Sequence, residues 1–164
     1  MMNKFIAACV QNTADRDPAP SMEKLGNLIR QARDAGSDLI MTPEVCHMLE
    51  PRRKLGMEKA QLETANESLD IFQSLAKETK AWLLIGSMAI KIENEQRMAN
   101  RSFLIDPDGN IVARYDKIHM FDVDVGEGDT YRESNGYRPG ETATLATLPW
   151  GSLGMTICYD MRFP

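Results

Sequence analysis

The stretch "GMTICYDMRFP", residues 154–164, decides how the rest of the chain is read. A short apolar run ends on Cys158, and Asp160 and Arg162 follow at once. Alone, such a cysteine reads as a small core residue on an apolar strand. Just past the carboxyl end of a strand in an α/β sheet, the same residue stands where ligands bind. Two other segments repeat the arrangement: Glu44 follows "DLIMTP" (38–43) and Lys117 follows "IVARYD" (111–116). Each has an ordinary reading, a surface carboxylate and a solvated lysine. Taken together they point to one shared site at strand ends, with the ordinary readings left open by position alone.

Working outward, "KFIAACVQ" (4–11) reads as a buried strand and "DLIMTP" as a short strand that Pro43 ends. Met22, Leu25, Leu28, Ile29 and Ala32 fall at helical spacing within 20–36, with Gly36 as a stop. Ala65, Leu69, Phe72, Leu75 and Ala76 make a second stripe over 65–80. "AWLLIGSMAIKI" (81–92) is nearly continuous in apolar residues, as a strand covered on both faces requires. Two strand-like runs flank "DPDG" (106–109), whose Pro and Gly supply a hairpin turn. A long polar stretch, 117–139, reads as a functional loop. "ETATLATLPWG" and "SLGMTICYD" add two strands, and the alternation of strands and helices indicates an α/β domain.

At 164 residues the chain has one domain's worth of length. Its 43% hydrophobic and 26% charged content fits a soluble globular protein. A net charge of -5 disfavours nucleic acid and anionic membranes as partners, and "PRRK" (51–54) reads as a solvated turn. The apolar stretch from Phe5 to Val10 is too short for a signal-peptide core, so a cytoplasmic protein is expected. Cys9, Cys46 and Cys158 lack regular spacing, which argues against a disulfide framework. A Cys–His pair would need His47 or His119 beside Cys158. Cys46 and His47 are adjacent and no Cys-x-x-Cys occurs, so no zinc site is expected, and "DVGEGDT" lacks the pattern of a phosphate loop.

"TPEVC" with Glu44, "RYDKIHMFDVDV" with Lys117, "YRES" with Glu133 and "CYDMRFP" with Cys158, in this order and spacing, resemble the nitrilase or carbon–nitrogen hydrolase superfamily. The wording is closest to the amidase branch that includes deaminated glutathione amidase and ω-amidase. The resemblance implies an α/β fold of the αββα four-layer sandwich type, usually dimerised, with no cofactor. It implies hydrolysis of a small-molecule carboxamide to acid and ammonia. Cys158 would be the nucleophile, Glu44 the general base and acid, and Lys117 with the Tyr159 backbone N–H the oxyanion's partners. Glu133 would orient Lys117 or the substrate. Arg162 would either bind a substrate carboxylate or pair with Asp160. His119 and Asp122 are expected in structural hydrogen bonds, and Cys9 and Cys46 in packing.

The same resemblance implies that the family domain continues past Pro164, which should open a helix. Residues 1–164 are therefore expected to be the N-terminal portion of a single domain. Alone, that portion is expected to be poorly soluble and inactive, with open strand edges and uncovered apolar faces. Two other readings stand beside the amidase: nitrile or N-carbamoyl amino acid hydrolysis by the same residues, and a non-catalytic fragment.

Overall fold

The structure, a computed structural model, describes residues 4–124, 126 and 130–164. Positions 1–3 of the expected domain, and 125 and 127–129 of the expected loop, lie outside the described residues. Five strands form the main sheet in chain order: β1 (Ala7–Cys9), β2 (Leu39–Met41), β3 (Trp82–Lys91), β4 (Met98–Ile105) and β5 (Ile111–Asp116). β1, β2 and β3 pair in parallel, whereas β3–β4 and β4–β5 pair antiparallel. Two reversals of direction leave β5 running the same way as β2. The residues after β2 and after β5 therefore emerge at one edge of the sheet, where β4 begins.

The helices α1 (Pro18–Asp34) and α3 (Glu67–Thr79) cover one face. Leu25 and Ile29 of α1 and Leu69, Phe72 and Leu75 of α3 meet Ile40, Leu83, Ile85 and Phe103 of the sheet in one core. α1 starts two residues before the apolar pattern because Pro18 and Pro20 suit its first turn. At the head of α3, the Asn66 side chain accepts a hydrogen bond from the Leu69 N–H at 3.0 Å. The opposite face of the main sheet carries a second, separate core. That face is covered by a later hairpin, whose strands span Thr144–Leu148 and Gly151–Met155. Its Ala146, Leu148 and Met155 pack on Leu39, Leu104 and Tyr115. Helix layer, main sheet and second-sheet hairpin thus stack in the order that the sandwich expectation requires. Among the described residues no helix is long and apolar enough to cross a membrane.

Several expectations need correction. The segment 4–11 is not a buried strand: only Ala7–Cys9 joins the ladder, at the sheet's edge, and Cys9 is exposed rather than packed. "PRRK" is not simply a turn, since α2 (Arg53–Lys59) begins there. That helix is too short for apolar periodicity to reveal it, and Glu50 holds it through Arg52 at 2.7 Å and Lys59 at 3.4 Å. The 117–139 stretch is not a plain loop. It carries the ribbon of β6 (Asp122–Asp124) and β7 (Thr130–Arg132), then a 3₁₀ turn over Glu133–Asn135. The two last strands, β8 (Thr144–Leu148) and β9 (Gly151–Met155), end earlier than expected. Just before Pro164 the chain turns, in a 3₁₀ helix over Cys158–Arg162.

The cause of that early turn is Asp160, which is buried and accepts four hydrogen bonds. They come from Tyr115 Oη at 2.7 Å, Ile157 N at 2.9 Å, His119 N at 2.9 Å and His119 Nδ1 at 2.8 Å. Burial works to raise the Asp160 pKa, but these donors outweigh it and hold the carboxyl below its usual range. One carboxylate thereby ties the turn after β9 to the end of β5. The expected structural roles of His119 and Asp122 follow, Asp122 accepting from Ser134 N and Oγ at 3.0 and 2.6 Å.

A second tie fixes the chain after β2. It crosses a bulge in β3, where the register shifts between Ile85 and Met88. Thr42 Oγ1 accepts from Gly86 N at 3.0 Å, Ser87 Oγ accepts from Val45 N at 2.8 Å, and Ser87 O accepts from Cys46 N at 3.2 Å. A β-carbon on Gly86 would overlap the carbonyl oxygens of Thr42 and Pro43. Gly86→Ala is accordingly expected to destabilise the protein carrying this chain by about 2 kcal/mol or more, read from chemical denaturation. Unchanged stability would mean that the bulge does not set this crossing.

His47, beside the same turn, is buried with no partner for Nδ1 among the described residues, and burial lowers its pKa to about 4. The unfolded chain then binds the proton more readily than the folded one, so stability is whole above about pH 6.5 and is lost as pH falls toward 4. The loss should reach about 3 kcal/mol. His47→Gln should flatten the stability slope in that window, as followed by thermal unfolding against pH; an unchanged slope would contradict the burial account.

Candidate active site

Four of the sequence-derived residues arrive at one edge, each on a tight turn just beyond a strand. Glu44 lies on the turn after β2, Lys117 directly follows β5, Glu133 opens the 3₁₀ turn after β7, and Cys158 opens the one after β9. The two turns nearest the reacting groups are strained: Val45 has φ 46° and Cys158 has φ 49°, both in the left-handed region that non-glycine residues seldom enter. All four residues line one cavity of about 1050 Å³, together with Asn100, Phe121 and Tyr137.

Lys117 is the hub. Its Nζ is 2.9 Å from Glu133 Oε2, 3.1 Å from Glu133 Oε1 and 3.1 Å from Glu44 Oε1. Lys117 is only 2% exposed and Glu133 7%. Burial works to lower the lysine's pKa, yet the hydrogen bond with Glu133 and the charges of Glu44 and Glu133 outweigh it and hold the ammonium above its usual range. Gly140 lets the chain pass close above this lysine. Its N–H donates to Lys117 O at 2.8 Å, and a β-carbon there would overlap the Asp116 carbonyl.

Cys158 is pushed in the opposite chemical sense from an activated thiol. Burial, the Glu44 charge and a hydrogen bond with Glu44 raise its pKa, while the Lys117 charge opposes them. The resting group is therefore a thiol facing a carboxylate, and nucleophilic use of it needs a base at hand. Glu44 is the group so placed, partly open to the cavity with its side chain 33% exposed.

Tyr159 follows the cysteine as the second residue of the turn, in the first turn of the helix, where backbone N–H groups have no partner within the helix. Its ring is edge-on to Phe121 at 5.1 Å and to Phe163 at 5.4 Å. Arg162 is not brought to the site. It is exposed, lines no part of the cavity and makes no ion pair among the described residues. The expected bridge to Asp160 does not form because Tyr115, His119 and Ile157 already occupy that carboxylate. Cys46 packs as expected; burial raises its thiol to about 12. Among the described residues no group of three or more His, Cys, Asp or Glu is placed to hold a metal ion.

Sequence reasoning missed Asn100. Its Nδ2 donates to Glu44 Oε1 at 2.8 Å and to Glu133 Oε1 at 3.2 Å, while its backbone O accepts from Lys117 N at 2.9 Å. Asn100 sits in an apolar strand, "MANRSFLI", and the only available signal was a buried-strand position holding an amide. Tyr137, also missed, lines the cavity with its phenol raised by burial and by the charge of Glu133.

Comparison with known proteins identifies the chain's relatives. Residues 6–164 match the family model described as carbon–nitrogen hydrolase. The chain is 35% identical to a deaminated glutathione amidase of Yersinia enterocolitica over 99% of its own length and 57% of that protein's. It is 32% identical to omega-amidase NIT2 of Homo sapiens, again over 99% of this chain and 57% of the relative. The solved structure of the C. elegans NitFhit protein superposes with a TM-score of 0.89 at 27% identity, covering 97% of this chain and 39% of that one. The chain thus spans little more than half the length of these curated relatives. Its αββα-type layering and its match over nearly every residue make it a member of the carbon–nitrogen hydrolase family.

Proposed function

We propose that the protein carrying this chain hydrolyses the C–N bond of a small-molecule carboxamide, releasing ammonia and a carboxylic acid through a thioester on Cys158. The observation that carries the reading is the buried Lys117 ammonium shared at 2.9–3.1 Å by Glu44 and Glu133, on the same cavity wall as a thiol that needs a base.

The chemistry follows from those positions. Glu44 takes the Cys158 proton as sulfur bonds to the amide carbon. The oxygen that gains charge meets the Lys117 ammonium and the Tyr159 N–H, donors fixed in place before the reaction starts. Glu44 returns the proton to the departing nitrogen, the C–N bond breaks, and ammonia leaves the thioester. Water then attacks the thioester carbon, its proton passes to Glu44, and collapse returns the thiol. Glu133 takes no proton in this scheme. It holds Lys117 in position, and with Glu44 ionised it keeps that lysine charged.

The names of the relatives suggest amides of carboxylic acids, the deaminated glutathione and ω-amide classes, as substrates. Ammonia release should therefore be seen with such amides, and not with nitriles or N-carbamoyl amino acids of the same skeleton. Cys158→Ala should abolish turnover. Glu44→Gln and Lys117→Met should each lower kcat by about 10³-fold or more. Retained hydrolysis in Cys158→Ala would remove the nucleophile from this scheme, and a folded protein that cleaves no amide would favour the non-catalytic reading.

A further inference from the structure

Asn100 donates through its side-chain amide to both carboxylates of the site. We infer that it is a positioning residue of the proposed reaction: its amide locks Glu44 Oε1, so that Glu44 Oε2 is the oxygen left to exchange the proton with Cys158. The inference rests on the amidase reading above and adds a residue to it.

Three observations support it. The first is saturation of one oxygen. Glu44 Oε1 receives Asn100 Nδ2 at 2.8 Å and Lys117 Nζ at 3.1 Å, and neither of these two donors reaches Oε2. A carboxylate held on one oxygen by two donors presents the other in a fixed direction, which a general base requires. The second is orientation. Asn100 Nδ2 also reaches Glu133 Oε1 at 3.2 Å, so rotating the amide would set its oxygen against two carboxylates. The donor side is therefore fixed by charge. The third is cost. Asn100 is 1% exposed, and its Oδ1 is buried with no partner among the described residues. An unsatisfied buried acceptor weakens a fold, so stability does not explain an amide at this place in β4. Its donor side accounts for it.

The backbone of Asn100 extends the same role. Its carbonyl accepts the Lys117 N–H at 2.9 Å, which sets the lysine's main chain by the strand that also sets the carboxylates. One residue thus fixes the base, the orienting carboxylate and the chain that delivers the cation.

The groups facing Glu44 are Lys117 after β5, Glu133 after β7 and Cys158 after β9, with Tyr137, Arg16 and Arg53 on the same cavity wall. Removing the Asn100 donor leaves Lys117 as the one hydrogen-bond donor on Glu44 Oε1. A carboxylate that loses a donor is protonated at higher pH. The test uses Asn100→Ala and the near-isosteric Asn100→Leu in the protein carrying this chain, with ammonia release from an accepted amide measured from pH 4 to 9 on folded, active-site-titrated enzyme. Both variants should lower kcat by about 10²-fold with KM changed less than about threefold. In both, the acid limb of the kcat/KM profile should move to higher pH. A purely structural Asn100 would lower the folded fraction and leave that limb in place. An unmoved limb with kcat within about threefold of the unaltered protein overturns the inference. Such a result leaves the amidase reading standing, because that reading falls only with activity retained in Cys158→Ala.

Discussion

The Lys117 ammonium is nearly sealed from water, and a lone buried cation would cost several kcal/mol. Two carboxylates within 3.1 Å offset that penalty and hold the ammonium above its usual range. The three charges leave a net negative site, which raises the neighbouring Cys158 rather than activating it. That sign matters for chemistry. In the proposed cycle the resting thiol reacts when a bound carbonyl lets Glu44 take its proton. On that proposal the buried ion cluster accounts both for a site quiet at rest and for a base held beside the thiol.

Such a cluster needs its members delivered from distant parts of the chain to within hydrogen-bonding distance, and the fold does this by strand direction and tight turns. β2 and β5 run the same way, so Glu44 and Lys117 leave the sheet at one edge. The bulge at Gly86 lets the Glu44 turn lie against β3. Asp160 draws the Cys158 turn back onto Tyr115 and His119, next to Lys117 in sequence. Elements that look peripheral, a bulge, an aspartate and a strained cysteine, act as the supports that keep reactive atoms from drifting, where displacement of an ångström can cost about 10²-fold in rate.

Much of this was legible in the sequence because it rests on local pattern. The apolar stripes of α1 and α3, the continuous run of β3 and the "DPDG" hairpin are written in spacing and turn residues. The order of Glu44, Lys117, Glu133 and Cys158 was legible through family likeness. What was hidden depends on pairing between distant segments. β1 looked like core but lies at an edge, which composition does not state. α2 is held by ion pairs of Glu50, not by a periodic apolar face. Asn100 reads as an oddity in a strand until Glu44 and Glu133 are seen on either side of its amide. Arg162, which motif position put forward, is exposed and does not line the cavity.

The central claim is that this cluster serves a covalent cycle on Cys158. The most direct measurement is the mass of the peptide containing Cys158 after acid quenching during turnover of an amide substrate. The account predicts that this peptide gains the mass of the acyl group, that the gain disappears on thioester cleavage by hydroxylamine, and that no other cysteine peptide carries it. Steady turnover with Cys158 unmodified, or with the acyl group found on Cys9 or Cys46, would contradict it.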